Sequence, residues 1–127
     1  MLTHDRALQT KRTVSKDKPI LAFKQFHVKV VEGKVRYTPI SSNNYPEGGW
    51  VRNIPYTAHS VPTTRNTYVG FHAIKRPTLR MFRTELCVCL PVKLWGRIVE
   101  HRGTTHRSYP YRPFCPAGYR AQFMEIL

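Results

Sequence analysis

At 127 residues the chain has room for one domain with one modest core and is short for two packed domains. A hydrophobic fraction of 41%, with 7 Tyr, 6 Phe and 2 Trp, excludes a disordered composition. The 21 Lys and Arg against 7 Asp and Glu give a formal charge of +14, so self-repulsion opposes compaction and an anionic partner is expected to offset it.

Taken in chain order, "MLTHDRALQTKRTVSKDK" carries five basic residues, two acids and no apolar stretch. It reads as a polar basic arm over 1–18, with a short helix expected at 5–12, and it lacks the form of a secretory signal. Pro19 opens a single β-rich domain over 19–127. "PILAFKQFHVKVVEGKVRYTPI" predicts strands at 20–31 and 34–40 with Glu32-Gly33 as the hairpin turn. "SSNNYPEGG" is loop by composition. The prolines of "WVRNIPYTAHSVPTTRN" restrict it to an edge strand or extended coil. "TYVGFHAI" predicts a strand with Gly70 at a bulge or close approach. "RPTLRMFRTE" predicts a short helix with Pro77 in its first turn. "LCVCLPVKLWGRIVEH" is the longest β-type run, with Pro91 and Gly96 marking interruptions. "GYRAQFMEIL" fits a closing strand or a short helix. The sum is an α+β domain: a mostly antiparallel sheet or partly open barrel, one or two short helices, and long loops.

Two stretches concentrate cations. No acid lies between Glu47 and Glu85, where Lys75, Arg76, Arg80 and Arg83 cluster, and none between Glu100 and Glu125, where Arg102, Arg107 and Arg112 alternate with Tyr109, Tyr111 and Phe114. Arginine meets phosphates and stacks on bases, and aromatic rings receive unstacked bases, so Lys75, Arg76, Arg80, Arg83, Arg102, Arg107, Tyr109, Tyr111 and Arg112 are the candidate binding residues. No RNP, KH, zinc-finger or helix-turn-helix signature accompanies them.

Other chemistry has less support. Cys87, Cys89, His101, His106 and Cys115 include soft metal ligands, but the C-x-C spacing lies inside an apolar run and is not the C-x₂₋₄-C of zinc knuckles, so no metal and no cofactor is expected. Cys87 and Cys89 share a strand face and read as reduced thiols serving as small core groups. No G-x-S-x-G, H-E-x-x-H or P-loop is present, so a catalytic role is not the leading expectation. No apolar run approaches the ~18 residues of a membrane helix. These readings point to a cytoplasmic protein that binds nucleic acid or an acidic, nucleic-acid-handling protein.

"VGFHAI" at 69–74, "VKLWGRIVEH" at 92–101 and "GYRA" at 118–121 together resemble a loose group of small uncharacterised bacteriophage and bacterial proteins. Those proteins carry a GFHA-like element, a V-x-L-W-G-x-V-x-E-H strand and GYRA close behind it. Here "RGTTHRSYPYRPFCPA" intervenes, which makes 102–117 an inserted basic, aromatic loop. The resemblance carries no function. It implies phage origin, and with it an accessory protein that binds a host factor or nucleic acid, for instance as an inhibitor of a host or defence factor. It also singles out Gly70, His72, Trp95, Gly96, Glu100, Tyr119 and Arg120. Trp95 is then expected as a core anchor, and Glu100 and Arg120 as an ion pair, because an arginine in an apolar terminal strand needs an anionic partner. Two alternatives stand beside this reading. One is a small enzyme acting on a nucleotide-like anion, with His72, Glu100, Tyr119 and Arg120 lining its pocket. The other is a structural virion component with its basic charge facing packaged DNA.

Overall fold

A computed structural model describes residues 9–39, 48–65, 69–77, 86–102 and 117–127. Seven strands follow in order: β1 (Gln9–Val14), β2 (Ile20–Val31), β3 (Lys34–Pro39), β4 (Pro55–Thr57), β5 (Phe71–Ile74), β6 (Cys87–His101) and β7 (Gly118–Ile126). All named strand pairings are antiparallel.

The fold is built around β6. One of its edges takes β2 against residues 87–94 and then β1 against 96–101, so two consecutive strands share one long partner. The other edge takes β7. The free side of β7 receives β5 and β4, and the free side of β2 receives β3 and, at the single pair Phe23↔Ile74, β5. The circuit β6–β2–β5–β7–β6 thus returns on itself through one residue pair. The sheet coils around a core but stops short of a continuous barrel.

The expected hairpin forms where the alternation and turn chemistry place it. Glu32 and Gly33 have φ of 52° and 77°, the two positive values of a tight two-residue turn whose twist matches the strands. β6 runs unbroken through Pro91. The Pro91 carbonyl accepts the Leu127 N–H at 3.0 Å, so the missing Pro N–H faces the same side, just past the end of β7, and costs the last rung of the ladder and not an interior one. The irregularity lies instead at Gly96. Between the pairs Trp95↔Phe123 and Ile98↔Ala121, β6 carries one residue more than β7. Gly96 has φ +82°, and any Cβ there would collide with the Phe123 ring.

The bulge decides which residues are buried. The core joins Ala22 and Phe26 of β2, Phe71 and Ala73 of β5, Val92, Leu94 and Ile98 of β6, and Ala121, Met124 and Ile126 of β7. On β7 the buried set changes parity between Ala121 and Met124, beside the bulge. Trp50 closes this core. Its ring meets Phe26 and Phe71 edge-on at centroid distances of 5.8 Å, and its backbone exchanges two hydrogen bonds with Tyr37. Trp95, expected as the core anchor, is buried outside this cluster. It stacks on Phe123 at 5.8 Å under the Lys16 ammonium.

The α+β expectation is corrected: among the described residues there is no helix. Residues 9–12, placed in a helix by the sequence reading, form β1. Thr10, Thr13 and Val14 are β-branched, and the segment pairs residue for residue with β6. The basic arm is therefore part of the sheet from Gln9 onward. The terminal "GYRAQFMEIL" is a strand. The helix expected around Pro77 falls mainly on 78–85 and the inserted loop on 103–116, both outside the described residues.

Candidate nucleic-acid interface

Four strands end side by side. Gln9 at the start of β1 pairs with His101 at the end of β6, His101 with Gly118 at the start of β7, and Gly118 with Ile74 at the end of β5. At about 4.8 Å per neighbour the row spans roughly 14 Å. Gly118 occupies its centre because a Cβ there would run into the Ala73 carbonyl oxygen. The Lys75 N–H donates to the Ala117 carbonyl at 3.1 Å and extends the β5–β7 ladder by one step.

This row collects cations from three distant parts of the sequence. Lys11 and Arg12 lie on β1, Lys75 and Arg76 follow β5, and Arg102 follows β6; all five are exposed. The carboxylate among them is Glu100, which takes the Lys75 ammonium at 2.5 Å and the Arg12 guanidinium at 3.5 Å. The Lys75 ammonium also lies 5.5 Å from the Tyr119 ring centroid. Glu100 thus orients two cations, and the described residues of this end remain positive in sum. The other candidate binding residues, Arg80, Arg83, Arg107, Tyr109, Tyr111 and Arg112, lie outside the described residues.

The alternative set does not converge. Cross-strand pairing places Glu100 opposite Tyr119 on one face, while Arg120 lies opposite Val99 and His72 on the other. The expected Glu100–Arg120 ion pair is absent for the same reason, since strand alternation sends adjacent register positions to opposite faces. Arg120 is 2% exposed and acts as a staple. It donates to the Val69 carbonyl at 3.0 Å, the Thr63 carbonyl at 2.7 Å and Gln9 Oε1 at 3.0 Å, which ties the 63–69 connection to β7 and β1. Burial pulls its pKa downward. His72 is exposed, and its carbonyl accepts a bond from Lys24.

Lys24 escapes the sequence reading. Its ammonium donates to the His72 carbonyl at 2.6 Å and sits 5.9 and 5.8 Å from the Phe26 and Trp50 ring centroids. Burial pushes its pKa down to about 8. The signal was the spacing: Lys24 lies between Ala22 and Phe26 on the inward-facing alternation of β2. Cys87 and Cys89 were expected in the core and are only half-buried; Cys87 Sγ lies 3.5 Å from His27 Nδ1, its cross-strand partner. Among the described residues no three His, Cys, Asp or Glu side chains gather as for a metal ion, and no helix is long and apolar enough to cross a membrane.

The chain matches no protein-family model, no curated protein and no solved structure.

Proposed function

We propose that this chain binds nucleic acid through the end of the sheet formed by β1, β6, β7 and β5. The observation that carries the reading is the gathering of five exposed cations, Lys11, Arg12, Lys75, Arg76 and Arg102, on neighbouring strand ends, where Glu100 is the one carboxylate among the described residues and pairs with Arg12 and Lys75. Exposed cations from three of four adjacent strand ends, spread over a row of roughly 14 Å, suit a chain of phosphates better than a point-like anion. The basic segments that continue from Arg76 and Arg102 add Arg80, Arg83, Arg107 and Arg112 in sequence. No reaction is needed for this role: it is binding by charge, and phosphate contacts position the chain without reading sequence.

The test is a double charge reversal, Arg76→Glu with Arg102→Glu, in the full chain. Loss of at least tenfold in affinity for nucleic acid at low salt, with a flatter dependence on salt, supports the reading. Unchanged affinity refutes it. Purification of the chain from cell extract with and without nuclease gives an independent check. Partners that survive nuclease treatment in full would replace nucleic acid with an acidic protein surface.

A further inference from the structure

The second basic feature lies at the opposite end of β6. Pairing between β2 and β6 stops at His27↔Cys87, with one further bond from the Val28 N–H to the Leu86 carbonyl. Beyond that point, among the described residues, Lys29–Val31 pair only with Lys34–Arg36, through Lys29↔Arg36, Val30↔Val35 and Val31↔Lys34. Among the described residues no third strand covers this ribbon. On one face Val30 and Val35 oppose each other with 69% and 49% of their surfaces exposed. The other face carries Lys29, Lys34, Arg36 and Val31, and the sole acid of the ribbon is Glu32 in the turn.

An exposed valine pair on a free two-stranded ribbon is an association hazard unless it meets a partner. Here the charge selects the partner. Three cations against one carboxylate fit a polyanion and disfavour a second copy of the same ribbon. Size narrows it further. Three residue pairs at about 3.3 Å each extend roughly 10 Å beyond the sheet, and two strands lie about 4.8 Å apart. The major groove of B-form DNA is about 12 Å wide and 8.5 Å deep and admits a two-stranded ribbon. The major groove of an RNA duplex is too deep and narrow for side chains to read.

We infer that the ribbon Lys29–Arg36 enters the major groove of duplex DNA, with Lys29 and Lys34 meeting phosphates on its walls and Val30 and Val35 contacting thymine methyls. This rests on the nucleic-acid reading above and adds duplex form and point of entry.

Fluorescence anisotropy of the full chain with a 24-bp mixed-sequence DNA duplex, the matching RNA duplex and single-stranded DNA tests it across a salt series. Wild type is expected to bind the DNA duplex at least tenfold tighter than the RNA duplex. Val30→Ser with Val35→Ser should lower affinity for duplex DNA about tenfold with the salt slope unchanged. Lys29→Gln with Lys34→Gln should reduce the log–log salt slope by about 2. All four side chains are exposed, so both variants should melt cooperatively near the wild-type temperature. If wild type binds the DNA duplex, Arg76→Glu with Arg102→Glu weakens it, and both ribbon variants bind like wild type, the ribbon inference falls and the nucleic-acid reading stands. Equal binding of DNA and RNA duplexes also overturns the ribbon inference. A chain that binds none of the three nucleic acids overturns both.

Discussion

Lys24 shows how a single residue couples the core to pH. Its amine is protonated up to about pH 8 in the folded chain and up to 10.5 in the unfolded one. Between these values the unfolded chain holds a proton that the folded chain has released, so stability rises with pH across that window. Below it the half-buried ammonium opposes folding, and above it that cost is gone. Replacing Lys24 with Met is expected to flatten this rise, read as the difference between wild-type and variant urea stabilities at pH 7.5 and 10. Parallel curves for the two proteins would refute the assignment. Arg120 carries the opposite lesson. Its described bonds reach two backbone carbonyls and a glutamine, so a buried arginine here serves as a structural tie and is withheld from any surface role.

Among the elements, the bulge of β6 sets which side chains reach the core. Gly96→Ala places a Cβ against the Phe123 ring in a left-handed backbone conformation. The expected loss is roughly 2–4 kcal/mol, combining strain and overpacking. Gly33 has a similar φ of +77° but nothing within 4 Å, so Gly33→Ala should cost only about 1 kcal/mol. Denaturant midpoints of the two variants measure the difference, and equal losses would show that packing at the bulge contributes nothing. The register of the β2–β3 hairpin, by contrast, is specified locally by its turn residues and alternation.

For the whole molecule the governing quantity is the charge of +14. Self-repulsion among exposed Lys and Arg opposes the compact state and is screened by salt. The thermal midpoint followed by circular dichroism should therefore rise between 0.05 and 0.5 M NaCl, and rise further when a DNA duplex is added at low salt. A midpoint that falls with salt would mean that the pairs at Glu100 outweigh the repulsion. That is not expected of two bridges formed at the surface by partly exposed side chains, each worth about 0–1 kcal/mol.

The sequence by itself determined the charge, the bounds of the hairpin, the long strand β6 and the glycine irregularity within it. Each rests on composition or on residues adjacent in the chain. It could not determine that residues 9–14 are a strand, because their polar composition carries no alternating apolar face and their stability comes from β6, about ninety residues away. It could not separate Glu100 from Arg120, since both are polar groups in strands and only the β6–β7 register sends them to opposite faces. Only the tertiary structure made Trp50 the closing residue of the core and brought Lys11, Arg12, Lys75, Arg76 and Arg102 to one end of the sheet. Strand pairing joins segments far apart in the chain, and local pattern carries no information about which partner an edge will find.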